Sequence, residues 1–301
     1  MNSPKPNIVI TGASGLLGHP LCIFAKQTWT VHALFRQNQP IVPGIETIAL
    51  DLLNEQEWID FITKLKPKAV IHAAANASVP TCNRHPEQTA RINVHVPGRM
   101  AQLCAELNIN FIFISTDLVF NGLSATYNEK DIPCPVDKYG EQKLRAEKMV
   151  LQSHPKAVVC RMPLLFGIAP YSEGNFMVKM LDAIRTGKSL NLFIDEYRTP
   201  VDHYSAAKGI LRVLGRTRGI LHMGGRSRMS RYDMGLMMAK AMRIKPDMIH
   251  PVRIEEVKLA FKRAPDCSLD SRWAFALGYD PAPVEPAMVQ VVERYFHNHP
   301  I

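Results

Sequence analysis

The segment Asn7-Ile8-Val9-Ile10-Thr11 runs straight into Gly12-Ala13-Ser14-Gly15-Leu16-Leu17-Gly18 and then into helical apolar spacing through Leu21, Phe24 and Ala25. A strand, a tight glycine turn and a helix in that order open a parallel crossover and leave few folds available. In the G-x-x-G-x-x-G spacing the first glycine permits the turn, the second lets a phosphate reach the backbone, and the third lets helix pack on strand. The helix end supplies positive potential for an anion. Gly12, Ser14, Gly15, Leu16, Leu17 and Gly18 are therefore the expected cofactor-binding loop. A glycine trio alone is a weak signal; its place after the first strand of an alternating chain gives it meaning.

That alternation continues. Strands are expected near 7–11, 30–35, 46–50, 69–73, 111–115 and 157–161, with helical patterns between most of them. The implied architecture is α/β, a Rossmann-like doubly wound parallel sheet with helices on both faces. Phe111-Ile112-Phe113-Ile114 is apolar at every position, as a strand covered on both faces should be. It delivers Ser115, Thr116 and Asp117 to the carboxyl edge, where ligands bind in such sheets. After Pro163 the alternation breaks down, with no long linker and no repeat. Ser230 ahead of Asp233 reads as the N-cap of a helix near 231–242.

Composition narrows the function classes. With 301 residues, 47% hydrophobic and 21% charged, the chain can bury a sizeable core. No run approaches the roughly eighteen apolar residues of a membrane span, and Met1-Asn2-Ser3-Pro4-Lys5-Pro6 lacks the apolar core of a secretion signal. Cysteines 22, 82, 104, 134, 160 and 267 show no metal spacing and read as reduced thiols of a cytoplasmic protein. No metal site is expected, and His297-Asn298-His299 reads as a solvated terminus. The net charge of +9 is uneven: residues 1–150 carry 14 Lys+Arg against 13 Asp+Glu, residues 151–301 carry 22 against 14. A basic half suits an anionic nucleotide-sized substrate. Its cations are scattered, without interleaved aromatics, so neither nucleic acid nor membrane is an expected partner.

Tyr139 and Lys143 carry the chemical signal. Four residues apart on a helix, they share a face one turn apart, so the ammonium can lie near the phenol. A free phenol titrates near about 10, and a neighbouring cation favours phenolate; Lys143 is thus expected to lower the Tyr139 pKa. Alone, the spacing far more often describes a solvated helical face, and the rest of the chain has to supply the chemical reading. Cofactor choice is read at the end of the second strand, where Val31-His32-Ala33-Leu34-Phe35 runs into Arg36 instead of the acidic residue that would select NAD. A cation suits a 2′-phosphate, so NADP is expected, with NAD possible.

Together the residues resemble a known family. Thr11-Gly12-Ala13-Ser14-Gly15-Leu16-Leu17-Gly18, Ile71-His72-Ala73-Ala74-Ala75, Ser115-Thr116-Asp117-Leu118-Val119-Phe120-Asn121-Gly122 and Tyr139-Gly140-Glu141-Gln142-Lys143 resemble the extended short-chain dehydrogenase/reductase superfamily. Within it they are similar to the dTDP-4-dehydrorhamnose reductase family and its relative, the methionine adenosyltransferase regulatory β subunit. The likeness continues through Asp195-Glu196-Tyr197-Arg198-Thr199-Pro200-Val201, Gly219-Ile220-Leu221-His222-Met223-Gly224-Gly225 and Arg263-Ala264-Pro265-Asp266-Cys267-Ser268-Leu269-Asp270.

The resemblance implies a dinucleotide-binding domain over 1–164, to which 195–222 returns, and a smaller C-terminal substrate-binding lobe from 165–194 and 223–301. It implies a catalytic set of Thr116, Tyr139 and Lys143, with Ser115 as the alternate hydroxyl. Strand alternation lets only one of the two hydroxyls face the cofactor. Asp51 and Leu52 would contact adenine, and Ala73, Ala74 and Ala75 would wall the nicotinamide site. Asp117, Arg198 and Arg263 would serve a nucleotide-sugar substrate, each arginine having a structural ion pair as its alternative. The implied activity is NADPH-dependent reduction of a nucleotide-linked 4-keto sugar, with Tyr139 as proton donor. Leu118 stands where the family commonly has tyrosine, which puts the rhamnose substrate itself in doubt. Asp117-Leu118 lacks the second acid of a dehydratase. An epimerase and a non-catalytic NADP-binding regulatory subunit stay open as alternatives, as does a homodimer.

Overall fold

A computed structural model describes residues 4–171 and 175–298. In chain order the first half contains β1 (Asn7–Thr11), α1 (Gly18–Ala25), β2 (Thr30–Phe35), β3 (Glu46–Ala49), α2 (Glu55–Leu65), β4 (Ala69–His72), α3 (Val79–Arg84), α4 (Pro86–Ala90), α5 (Val96–Glu106), β5 (Asn110–Thr116), α6 (Lys138–Ser153) and β6 (Val158–Met162). The second half contains β7 (Leu165–Phe166), α7 (Phe176–Arg185), β8 (Leu190–Phe193), β9 (Tyr197–Arg198), β10 (Val201–Asp202), α8 (His203–Val213), β11 (Gly219–His222), β12 (Met229–Ser230), α9 (Arg231–Ala241), β13 (Ile249–Val252), α10 (Arg272–Ala276) and α11 (Val284–Asn298).

Seven strands form one sheet in the order β11-β6-β5-β4-β1-β2-β3, and every neighbouring pair is parallel. The order reverses between β1 and β4, which opens a crevice at their carboxyl ends. Both faces are covered, so β4 and β6 are buried at every position. On one face Ile8, Ile10, Ile71 and Ile112 pack with Leu21 of α1 and Ala206 and Ile210 of α8. On the other, Val9, Val70, Phe111 and Phe113 pack with Trp58, Met100 and Val150 of α2, α5 and α6. This is the doubly wound α/β fold that the alternating sequence pattern implies.

A third apolar cluster joins Phe166, Met177 and Leu181 with Met234, Met238, Met288 and Tyr295, uniting α7, α9 and α11. β8 and β13 pair in parallel beside it. A fourth, smaller cluster closes the segment after β5 onto the late chain: Val119, Phe120 and Tyr127 pack on Ala264, Cys267 and Leu269. Local signals set the helix starts. The Asp137 side chain accepts from Gly140 N–H at 2.8 Å to cap α6, and Ser230 with Asp233 forms the reciprocal capping box of α9. Among the described residues no helix is long and apolar enough to cross a membrane. Nor does any group of three His, Cys, Asp or Glu there have the arrangement to hold a metal. The tail motif extends to His299, outside the described residues.

Candidate active site

The crevice at the strand-order reversal is a cleft of about 720 Å3. Gly12, Ser14 and Gly15 line one wall, Arg36, Asp51 and Leu52 the far end, and Ala73, Ala74 and Ala75 the edge of β4. The glycines divide their work as the spacing predicts. Gly12 has φ +66°, and a Cβ there would stand 2.8 Å from the backbone of Ala74. A Cβ on Gly18 would stand 2.0 Å from the Gly12 carbonyl oxygen, so that glycine lets α1 close on the turn. A Cβ on Gly15 would meet only the Gly12 carbonyl, at 3.2 Å, and its other side opens on the cleft. Leu16, Leu17 and Gly18 do not line the cleft; Leu17 is buried in the core beneath the turn.

Thr11 ties the turn to β4. Its hydroxyl accepts from Ala74 N–H at 3.2 Å and lies 3.0 Å from His72 Nδ1. His72 is a neutral imidazole whichever way this hydrogen bond runs. Burial, followed by the charge of Lys143, pulls the His72 pKa down to about 3.

β5 alternates as a two-faced strand must. Ser115 shares the face of Phe111 and Phe113, and its hydroxyl donates to Glu147 on α6. Thr116 takes the other parity, donates to Asp117 Oδ1 at 3.1 Å and accepts from Leu118 N–H at 3.2 Å. α6 approaches this strand end closely because residue 140 is glycine: a Cβ there would be 2.2 Å from the Leu118 carbonyl oxygen. Tyr139 is 9% exposed and Lys143 2%.

Here one expectation is corrected. The phenol is not acidified by Lys143. Burial pushes the Tyr139 pKa above its ordinary value, and Cys82, Asp117 and Asp137 add to the rise. The ammonium of Lys143 lies 3.9 Å from the centre of the Phe113 ring, and burial draws its own pKa down to about 7, with Glu147 and Cys82 opposing the fall. In a dry site desolvation of each group outweighs their mutual influence.

Asp117 is buried, and its pKa is pushed up to about 6 by burial, with Arg198 and the Thr116 hydroxyl opposing the rise. Its Oδ2 is 3.3 Å from Arg198 Nε without hydrogen-bond geometry. Arg198 is built into the protein: it donates to the carbonyls of Tyr197, Ala264 and Pro265 and lies 3.5 Å from Glu196. The structure thus gives it the ion-pair environment of its structural reading, not a free face on the cleft. Arg263 donates to Glu196 Oε2 at 2.9 Å, and its side chain is 44% exposed. Arg231 also grips Glu196, at 3.1 Å.

Sequence reasoning missed Arg231, and it missed a buried amide network. One turn of π-helix at Arg91–His95 aims Asn93 at Asn76, whose N–H donates to it at 2.8 Å. Asn93 Nδ2 donates to Gln142 Oε1 at 2.8 Å, and Gln142 Nε2 to Thr89 Oγ1 at 2.9 Å. Two asparagines and a glutamine far apart in sequence carry no periodic signal. Only the fold brings them together at the cleft, which Asn76 and Thr89 line.

A doubly wound sheet with a glycine turn at its crevice is the architecture of an extended short-chain dehydrogenase/reductase. Residues 6–296 match the RmlD substrate binding domain, and the chain belongs to that family. It is 29% identical over 288 residues to the methionine adenosyltransferase 2 subunit beta of Mus musculus, covering 92% of this chain and 84% of that one. A hypothetical dTDP-4-dehydrorhamnose reductase from Sulfolobus tokodaii superposes with a TM-score of 0.79 at 29% identity, over 90% of this chain and 94% of that one. The dTDP-4-dehydrorhamnose reductase of Bacillus anthracis, solved in complex with NADP, gives 0.83 at 21% identity over 98% and 99% of the two chains, a likeness of fold.

Proposed function

We propose that this protein is an NADP-dependent reductase of a nucleotide-linked 4-keto sugar. The observation that carries the reading is the packing of α6 on the end of β5, with Lys143 against Phe113 and Gly140 against Leu118, which brings the helix turn of Tyr139 to the strand end of Thr116, next to a cleft lined by the glycine turn and Arg36. The cleft fits a dinucleotide: Gly15 opens its backbone at an uncapped helix end, small alanines floor the centre, and a cation stands where a 2′-phosphate would lie. When bound, the cofactor supplies hydride to the keto carbon. Tyr139, its phenol held protonated by burial, gives its proton to the developing oxyanion. Thr116 hydrogen-bonds the same oxygen, and Lys143 holds the nicotinamide ribose. Asp117 supports the site, and Arg263 is the arginine with an exposed face for the substrate diphosphate. Segments 165–194 and 223–301 form the substrate lobe in this reading, with 195–222 returning to the sheet.

The likeness to the Sulfolobus tokodaii hypothetical dTDP-4-dehydrorhamnose reductase supports reduction, and that to the methionine adenosyltransferase subunit supports a second reading, an NADP-binding regulatory protein. Supplying NADPH and a panel of 4-keto sugar nucleotides separates them. Net NADPH oxidation, reduced about 10²- to 10⁴-fold in Tyr139→Phe, is the expected outcome. Redox-neutral interconversion would identify an epimerase, and NADPH binding without turnover would favour the regulatory reading.

A further inference from the structure

Lys143 and Glu147 lie one turn apart on α6, and the strand beneath them has matching steps. Four helical residues rise about 6 Å and two strand residues about 6.6 Å. The ammonium therefore rests 3.9 Å from the Phe113 ring centre, while Ser115, two residues on, donates to Glu147 Oε1 at 2.5 Å. Arg161 on β6 clasps the same carboxylate with two nitrogens, Nη2 to Oε2 at 2.7 Å and Nε to Oε1 at 3.0 Å. Behind it, Arg161 Nη1 is 3.3 Å from His222 Nε2, and His222 Nδ1 is 3.1 Å from the Tyr127 carbonyl. A carbonyl only accepts, so Nδ1 carries the proton and Nε2 accepts from the arginine. His222 is then neutral, consistent with burial and Arg161 pulling its pKa to about 3. Glu147 and Arg161 are both almost completely buried, and the proposed hydride chemistry uses neither.

The other titratable groups around Lys143 supply no full negative charge. His72 comes from β4 and is neutral. Cys82 comes from α3, its thiol held protonated by burial, and Tyr139 on the same helix is a neutral phenol. Glu147 is the charge that opposes burial most strongly at the ammonium.

We infer that Glu147 is a positioning residue for Lys143: clamped by Ser115 and Arg161, its carboxylate holds the lysine in its cationic form beneath the cofactor cleft. The inference rests on the proposed cofactor reading for what Lys143 then holds, though not for its charge state. The lysine of the intact chain already titrates near neutrality, at about 7, so without the carboxylate it would be an uncharged amine there.

Two measurements on the full-length protein test this. Lysine 13Cε resonances are titrated with pH by NMR, the Lys143 signal being the one absent from Lys143→Met. NADPH binding is titrated separately at about pH 6 and about pH 8, either side of neutrality. Because Glu147→Gln alone strands Arg161 in the core, the double variant Glu147→Gln/Arg161→Met, which removes both charges, is measured beside it. In each folded variant the Lys143 midpoint should fall by about one pH unit or more. NADPH affinity should then drop several-fold more at the higher pH than at the lower. A midpoint unchanged in the double variant, or an affinity loss equal at both pH values, would overturn the inference. If the wild-type chain binds no NADPH, the cofactor reading fails, while the NMR midpoints still decide the role of Glu147.

Discussion

A lysine whose pKa burial draws down to about 7 lowers the stability of the folded chain at neutral pH. Between about 7 and the usual 10.5 the unfolded chain keeps a proton that the folded chain has released, so this contribution to stability improves as pH rises through that window. Below about 7 both states are protonated and the penalty is complete. Lys143→Met should therefore raise unfolding free energy at pH 7 by on the order of 3 kcal/mol, discounting for the lost contact with Phe113. The gain should vanish as pH approaches 10.5, in urea denaturation across a pH series. A destabilised variant at pH 7 would show that the lysine supports the fold and not only the chemistry. Arg36 makes a different residue-level prediction, because it is exposed and lines the cleft with Asp51 and Leu52. Arg36→Ala should weaken NADPH by about 1.5–3 kcal/mol more than NADH if a charge-assisted contact to the 2′-phosphate is lost. Titration of both cofactors against both proteins checks it, and equal losses would speak against NADP selection. The residue types at Arg36, Tyr139 and Lys143 could be read from sequence. The direction of the Tyr139 shift could not, since it follows from how deeply α6 is buried.

Between helix and sheet, one atom sets the fit of the site. Gly140 lets the first turn of α6 settle against Leu118, and a Cβ would come within 2.2 Å of that residue's carbonyl oxygen. The obstacle is backbone, which cannot rotate aside. Gly140→Ala should cost about 1–3 kcal/mol in stability, as overpacked positions do. It should also reduce turnover by at least about tenfold by displacing Tyr139 from Thr116, since sub-ångström geometry matters at a reacting centre. Thermal unfolding and NADPH oxidation measured together would show both; a fully stable and active variant would mean α6 tolerates a shift along β5. Elements of the first half were legible because β-branched and apolar runs stop at turn residues: Asn7–Thr11 and Thr30–Phe35 match the pattern end to end. The capping pair Ser230 and Asp233 was legible for the same local reason. By contrast β7, β9, β10 and β12 are two residues each, too short for any periodicity to show. The π-turn that aims Asn93 is equally silent, because its partner Gln142 lies 49 positions away and tertiary packing selects it.

Across the molecule, three cations of the basic second half converge on one acidic residue. Glu196 is buried and held below the usual carboxylate range by Arg231, Arg198 and Arg263 together. Charge counting could locate the excess in residues 151–301, but not the way three arginines share a single carboxylate. Their exposure separates their roles. Arg198 joins Asp117 at the sheet edge to the 264–265 backbone, so its removal would leave a buried acid unpaired and cost several kcal/mol of the order seen for broken buried pairs. Arg263 lies at the rim, its side chain 44% exposed, and Glu196 keeps Arg231 at 3.1 Å when Arg263 is gone. Arg263→Ala should thus change stability by less than about 1 kcal/mol, the range of exposed ion pairs. If the arginine grips the substrate diphosphate equally in ground and transition states, the same substitution should raise KM for the sugar nucleotide with little change in kcat or NADPH affinity. The KM of the variant should also depend less on salt, because one screened attraction has been removed. Steady-state kinetics at two ionic strengths distinguishes this from a purely structural arginine, for which KM and its salt dependence would both stay where they were.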